Sequence, residues 1–177
     1  MVRSLASANL YEPHGEVPTK IWFLLPLRLY VGGYFLAAAW GKIGAGFLSE
    51  PDKLIALFRP IIEGPDYPFG FYHAFYKLLI APHPGLFAFL VVFGELMTGL
   101  ALLTGTLTRL ACWGGLFMML NFFLAFNPLI PTPNNTLAIP NNSVTFAVIM
   151  LVLLVTGAGR AYGVDHYLRG KAPSWVA

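Results

Sequence analysis

The chain has 177 residues, of which 57% are hydrophobic and only 11% are charged, whereas a soluble domain carries about 25% charged residues. This composition excludes an ordinary soluble domain and indicates that most of the chain is surrounded by membrane lipid. The net charge of +3 does not indicate nucleic acid as a partner, because the basic residues lie mostly at the ends of apolar runs.

Four apolar runs are long enough to cross a bilayer, the last of them only just, and they cover residues 21–42, 84–105, 109–130 and 143–160. They predict an all-α integral membrane protein, with a four-transmembrane-helix bundle in one domain over residues 20–168. Residues 1–19 predict a polar N-terminal tail, and residues 169–177 predict a C-terminal tail. A cleavable signal peptide is the alternative for the first run, but Pro26 and Arg28 interrupt the simple apolar core that such a signal requires.

The segment 43–83, between the first two runs, predicts an interfacial helical segment. Ser49 and Pro51 are typical of a helix start, and apolar residues at helical spacing follow them. We expect one short helix over residues 51–59 and a second over residues 69–80, which is rich in the aromatic side chains found at the level of lipid headgroups. This segment should cover the outer mouth of the bundle.

Three polar side chains interrupt the first three runs. At a rise of roughly 1.5 Å per residue, Arg28, Glu95 and Asn121 fall in one layer near the bilayer centre. Hydrocarbon offers an ionised group no water, so such a residue must face protein, a cavity or a partner charge. We therefore expect Glu95 within hydrogen-bonding or ion-pair distance of Arg28 or Asn121. An ion pair between Glu95 and Arg28 would either belong to a functional site or only fix the register between the two helices.

Two further polar residues lie toward the outer end of the bundle. Lys42 shares the helical face of Arg28, and His83 is expected at a similar depth. One interpretation is a polar track from the membrane centre to the outer mouth. The other is that Lys42 simply extends to the membrane surface. Small residues beside the charges, among them Gly32 and Gly99, should let neighbouring helices approach closely.

Several kinds of chemistry are not expected in this chain. Cys112 is the single cysteine, so the chain cannot form an internal disulfide or thiolate metal site, and we expect a packing role for this residue. The four histidines fall in tails, loops or run ends, so neither a mid-membrane haem nor a metal is expected.

The distribution of basic residues predicts the orientation of the bundle. Six of them fall on the side of both termini, and four fall on the other side. Cytoplasmic loops carry an excess of Lys and Arg, so both termini are expected in the cytoplasm. The first group is Arg3, Lys20, Arg109, Arg160, Arg169 and Lys171, and the second is Lys42, Lys53, Arg59 and Lys77.

Three motifs along the chain resemble the DoxX/DoxD family of small four-helix membrane proteins. They begin at Arg28, Gly94 and Gly157 and read RLYVGGYFLAAAWGK, GELMTGLALLTGTLTR and GAGRAYGVD. The resemblance covers residues 27–168. Each motif alone contains little more than glycines and one or two charges, so the resemblance rests on their order and spacing. The family includes the large subunit of thiosulfate:quinone oxidoreductase.

The resemblance implies a membrane-embedded subunit of a respiratory or sulfur-linked oxidoreductase complex, with at least one further protein subunit and with quinone as the cofactor. The membrane would be a bacterial or archaeal cytoplasmic membrane. On this hypothesis Glu95 and Arg28 are catalytic, as proton carrier and charge partner, and Asn121 donates a hydrogen bond, with Lys42 and His83 as further binding residues. The alternative is a non-catalytic assembly subunit in which the same residues only lock the helices. A small-solute carrier is disfavoured, because the runs contain no inverted pair of broken helices.

Overall fold

The computed structural model describes residues 19–65, 67–126, 142–160 and 162–168, and the regular structure within these ranges is entirely helical. The α-helices are α1 (Leu25–Gly44), α2 (Asp52–Ile62), α3 (Gly70–Phe75), α4 (Pro84–Thr104), α5 (Thr108–Phe126), α6 (Asn142–Thr156) and α7 (Asp165–Leu168). A 3-10 turn over Thr19–Leu24 leads into α1, a π-helical turn over Tyr76–Ile80 extends α3, and a 3-10 turn over Ala158–Arg160 follows α6. Apart from Thr19, the two predicted tails lie outside the described residues, as does the end of the predicted third span, 127–130.

Three helices are long and apolar enough to cross a membrane, namely the stretch Trp22–Gly44 that contains α1, then α4 and α5. The fourth, α6, is a shorter apolar helix of 15 residues. The predicted span over 143–160 is longer than this helix, because Gly157 adopts a left-handed φ of +62° and ends it. Large apolar side chains such as Phe117 (67%) and Val155 (73%) are exposed on the outside of the bundle. The chain is therefore a helical membrane protein whose outer apolar faces contact lipid.

The long helices pack in the order α1, α4, α5 and α6. Phe146 of α6 also contacts α1, where its ring stacks on Tyr34 at a centroid distance of 4.1 Å and meets the edge of Phe35. Helices α1 and α4 cross at Gly32 and Gly99, where a Cβ atom on Gly99 would lie 2.9 Å from the Gly32 carbonyl oxygen. These two glycines allow the helices to approach closely, as the sequence predicted.

The segment between α1 and α4 forms the two short helices that the sequence predicted, α2 and α3 with its π-helical extension. Asp52 in the first turn of α2 and Arg59 in its last turn lie where the helix dipole favours their charges. The apolar faces of the segment pack with α4 and α5 in one cluster of Leu54, Ile55, Phe58, Ile62, Tyr72, Tyr76, Ile80, Ala88 and Ala125. We call this end of the bundle the covered end.

The opposite end, which we call the turn end, is closed by the turn between α4 and α5 and by the residues that follow α6. Gly105 ends α4 at a left-handed φ of +67°, which glycine adopts without a steric penalty. The backbone N–H groups of Val164 and Asp165 donate hydrogen bonds to the carbonyl oxygens of Thr104 (3.2 Å) and Gly105 (2.8 Å). These bonds fix the segment after α6 on the turn.

Tyr67 joins the covering segment to α5, because its hydroxyl donates a hydrogen bond of 2.7 Å to the Leu124 carbonyl oxygen. We expect Tyr67→Phe to lower the free energy of unfolding by about 1 kcal/mol. Burial raises the pKa of Tyr67 to about 12, above the value of about 10 in an unfolded chain. The difference between wild type and variant should therefore be complete below about pH 10 and shrink as the pH rises toward 12. Thermal unfolding followed by circular dichroism checks this, and equal melting temperatures at neutral pH would contradict it.

Candidate functional site

Glu95 and Lys42 form a partly buried ion pair inside the bundle. The Lys42 Nζ atom lies 2.6 Å from Glu95 Oε1 and 2.8 Å from Oε2, so the ammonium group donates to both carboxylate oxygens. The Glu95 side chain is 3% exposed and that of Lys42 is 23% exposed. Lys42 therefore turns into the bundle, and the interpretation that it only extends to the membrane surface is wrong. Charge-assisted hydrogen bonds of this length are among the stronger ones in proteins.

The antiparallel arrangement of α1 and α4 explains why these two side chains meet. Lys42 lies ten residues after Gly32 on α1, and Glu95 lies four residues before Gly99 on α4. Since Gly32 and Gly99 face each other, the Cα atoms of Lys42 and Glu95 are offset by roughly 9 Å along the bundle. Helical side chains lean toward the N-terminus of their own helix. Lys42 and Glu95 consequently lean toward each other and span the offset.

The prediction that Arg28 pairs with Glu95 is wrong. Arg28 is 1% exposed at the turn end, where Nη1 donates to the Ala158 carbonyl oxygen at 2.8 Å and Nη2 donates to that of Tyr162 at 3.4 Å. The same Gly32 to Gly99 register puts the Cα atoms of Arg28 and Glu95 roughly 12 Å apart along the bundle, and their side chains lean in opposite directions. The two residues therefore do not share one layer.

Asn121 and His83 also lie apart from the ion pair. The Asn121 Nδ2 group donates to the Phe117 carbonyl oxygen at 2.8 Å, one turn earlier on its own helix, so the predicted contact with Glu95 is wrong as well. Asn121 lines a neighbouring apolar cavity instead. His83 is exposed at the N-cap of α4 and is not among the residues that line the cavity beside Glu95.

The ion pair lines a cavity of about 380 Å³ between α1, α2, α4, α5 and α6. The polar residues that line it are Lys42, Glu95, Tyr34, Asn142 and Ser143. The rest of the wall is apolar and largely aromatic, and the residues are Phe35, Ala38, Phe47, Leu54, Leu57, Phe58, Met119, Phe122, Phe126 and Phe146. Lys42 Nζ lies 5.7 Å from the centroid of the Phe122 ring, within cation–π range. An ammonium, a carboxylate and flat aromatic walls can bind a planar ring that carries hydrogen-bond acceptors.

Asp165 was noted in the sequence only as part of the third motif, and no role was predicted for it. Its Oδ1 accepts from the Leu107 backbone N–H at 2.6 Å, and its Oδ2 accepts from that of Thr108 at 2.9 Å. The carboxylate thus caps the N-terminus of α5 and holds Leu107 at a left-handed φ of +51°, which is unfavourable for a leucine. Asp165 and Arg28 are both almost fully buried at the turn end. They are therefore part of the structure that closes this end.

Within the described residues, no group of three His, Cys, Asp or Glu side chains is placed to hold a metal ion. The comparison with curated proteins and the comparison with solved structures give no match. The model of the DoxX family matches residues 23–128, which include α1, α4, α5 and the ion pair between Lys42 and Glu95. Since this match covers more than half of the chain, the protein belongs to the DoxX family.

Proposed function

We propose that the chain is the membrane-embedded subunit of an oxidoreductase complex and binds a quinone in the cavity beside Lys42 and Glu95. The observation that carries the proposal is the partly buried ion pair in the wall of a cavity inside the bundle. Membership in the DoxX family supports it, because the family includes a quinone-linked subunit. A sulfur compound such as thiosulfate, oxidised by a separate subunit, is the electron source that the resemblance implies.

The residues around the cavity fit a quinone headgroup. A volume of about 380 Å³ lies within the range of small-molecule sites, about 300 to 1,000 Å³. The aromatic walls suit the faces of a quinone ring, and the Lys42 ammonium can donate a hydrogen bond to a quinone carbonyl oxygen. When bound, a quinone supplies the capacity to accept two electrons and two protons.

Lys42 and Glu95 would have different roles, ring binding for Lys42 and proton transfer for Glu95. Lys42 orients the ring through a charge-assisted hydrogen bond and keeps a negative charge on Glu95 stable in the bundle. Glu95 alternates between two states, because it takes up a proton, passes the proton to an acceptor in the cavity and returns to the carboxylate that Lys42 stabilises. Arg28 has no direct part in this proposal, because its guanidinium lies at the turn end.

The second candidate is a non-catalytic assembly subunit, and the arrangement of Arg28 and Asp165 favours it. Both are ionisable and almost fully buried, and both form hydrogen bonds to backbone groups. These hydrogen bonds connect α1, the turn between α4 and α5, and the segment after α6. In this protein, charges inside the membrane domain therefore serve packing at one end. The ion pair between Lys42 and Glu95 would then serve the same purpose at the other.

Glu95→Gln separates the two candidates. The amide keeps the shape of the side chain and removes the ionisable proton, so a complex that uses Glu95 as proton carrier should assemble normally and reduce quinone about 100-fold more slowly. Native gel electrophoresis of solubilised membranes measures assembly, and quinol formation in the same membranes measures turnover. Glu63→Gln is the matched control, since Glu63 is an exposed carboxylate on the edge of α2. Full turnover in assembled Glu95→Gln would reject the catalytic proposal and leave the assembly role.

A further inference from the structure

A second cavity lies between α4 and α5 beneath α2 and α3, and it has a different character from the first. Its volume is about 310 Å³, and no charged side chain is among the residues that line it. Thr98, Asn121 and Tyr72 are its polar residues, and the Asn121 amide already donates to its own helix. Water in a protein cavity needs several polar partners, so this space favours a hydrocarbon occupant.

Gly114 of α5 borders open space in this cavity, and the mouth of the cavity opens on lipid. Gly94 of α4 also lines the cavity, but the Met118 side chain fills the space beside it, with Sδ 2.8 Å from the position of an added Cβ atom. A Cβ atom on Gly114 would find Thr98 Oγ1 at 4.0 Å as its nearest neighbour, so the gap beside it is open. Leu90 and Phe117 also line the cavity and are 49% and 67% exposed on the outer face of the bundle. A hydrocarbon chain bound in the cavity can therefore continue into the surrounding bilayer.

The two cavities are neighbours. Leu54, Phe58 and Phe122 line both of them, so only one layer of side chains lies between the ion pair and the apolar cavity. The centroid of the Phe122 ring lies 5.7 Å from the Lys42 Nζ atom, and the same ring also lines the apolar cavity. Phe122 is thus a side chain whose rotamer bears on the separation of the two spaces.

We propose that the apolar cavity binds the hydrocarbon tail of the molecule whose polar ring binds beside Lys42 and Glu95. This inference rests on the proposed function and narrows it, since the substrate class becomes a quinone with a long tail. A phospholipid chain is a poorer occupant, because the cavity offers no charged side chain to hold a phosphate headgroup. A tailed quinone has its polar part in the adjacent cavity, where Lys42 supplies the hydrogen-bond donor.

Filling the apolar cavity tests the inference. Gly114→Leu adds a side chain to the open gap, and leucine is a better helix former than glycine. Gly33→Leu is the matched control, because Gly33 is an exposed helical glycine of α1 with no atom within 4 Å of an added Cβ. The full chain in lipid nanodiscs is titrated with two probes, a ubiquinone analogue with a decyl tail and the same ring without a tail.

We expect Gly114→Leu to weaken binding of the decyl analogue by about ten-fold and to leave binding of the tailless ring unchanged, while Gly33→Leu changes neither. If Gly114→Leu binds both probes as wild type does, the tail lies elsewhere and this inference is wrong, although the proposed function stands. If Gly114→Leu weakens both probes equally, the variant disturbs the ring site and the cavity has no selective role for the tail. If wild type binds neither probe, the proposed function fails and this inference fails with it.

Discussion

Lys42→Met should lower the free energy of unfolding by about 3 kcal/mol, the largest effect expected from a single change at the ion pair. Methionine keeps an apolar side chain of similar length, so packing along α1 changes little. The Glu95 carboxylate, with its side chain 3% exposed, loses its cation. It must then remain charged without a partner or take up a proton, and both states are less stable than the ion pair.

Labelling of Cys112 with a thiol-reactive fluorophore measures the unfolding of the bundle. Cys112 is the single cysteine of the chain and has no exposed surface, so the fluorophore labels it only when the bundle opens. The double variant Lys42→Met, Glu95→Gln is the control, because it removes both charges and should recover about 2 kcal/mol of the loss. Equal unfolding curves for Lys42→Met and wild type would show that the ion pair contributes nothing to stability.

Gly159→Ala should destabilise the turn end by about 3 kcal/mol. A Cβ atom on Gly159 would overlap Thr108 Oγ1 and Asp165 Oδ2, and both residues are almost fully buried. The Asp165 carboxylate cannot move away without losing its hydrogen bonds to the N–H groups of Leu107 and Thr108. The methyl group therefore breaks the cap of α5 or forces the segment after α6 off the turn.

The same labelling of Cys112 checks this result, with Gly33→Ala as the matched control. Gly33 has open space around an added Cβ, so its alanine variant should stay within about 1 kcal/mol of wild type. If Gly159→Ala unfolds like Gly33→Ala, the turn end is less tightly packed than its contacts indicate.

The helices were predictable from the sequence because apolar runs and helix-start residues act locally. Asp52 lies in the first turn of α2 as expected, and the aromatic stretch after residue 69 is helical, but the N-cap of α2 is Pro51 and not Ser49, whose hydroxyl donates to the Gly46 carbonyl oxygen. The end of α6 was placed too late, because the predicted span continued to residue 160, whereas Gly157 ends the helix with a left-handed φ. A glycine near the end of an apolar run is compatible with a helix that continues and with one that ends, and the sequence alone does not distinguish the two.

The contacts of the candidate site were less predictable, and the reason lies in side-chain direction. Equal depths of Arg28 and Glu95 were expected from counts along each run, but the α1 and α4 register and the lean of the side chains separate them. The carbonyl oxygens of Ala158 and Tyr162 are among the partners of Arg28, and a backbone carbonyl group cannot be identified as a partner from the sequence. Lys42 was identified as a candidate, yet its pairing with Glu95 depends on that same register.

The cap of α5 also has a consequence for the order of biosynthesis. The Thr108 backbone N–H donates a hydrogen bond to the Asp165 carboxylate, and Asp165 lies 57 residues later in the chain. The whole of α5 and α6 is translated between these two residues. The ribosome delivers the chain from its N-terminus, so α1, α4 and α5 enter the membrane before the carboxylate that caps α5 exists. The contact between Asp165 and the start of α5 is thus completed only after α6 has been made. A nascent chain stopped before Asp165 would contain α1, α4, α5 and α6 and still lack this contact, so the contact marks that synthesis has passed Asp165.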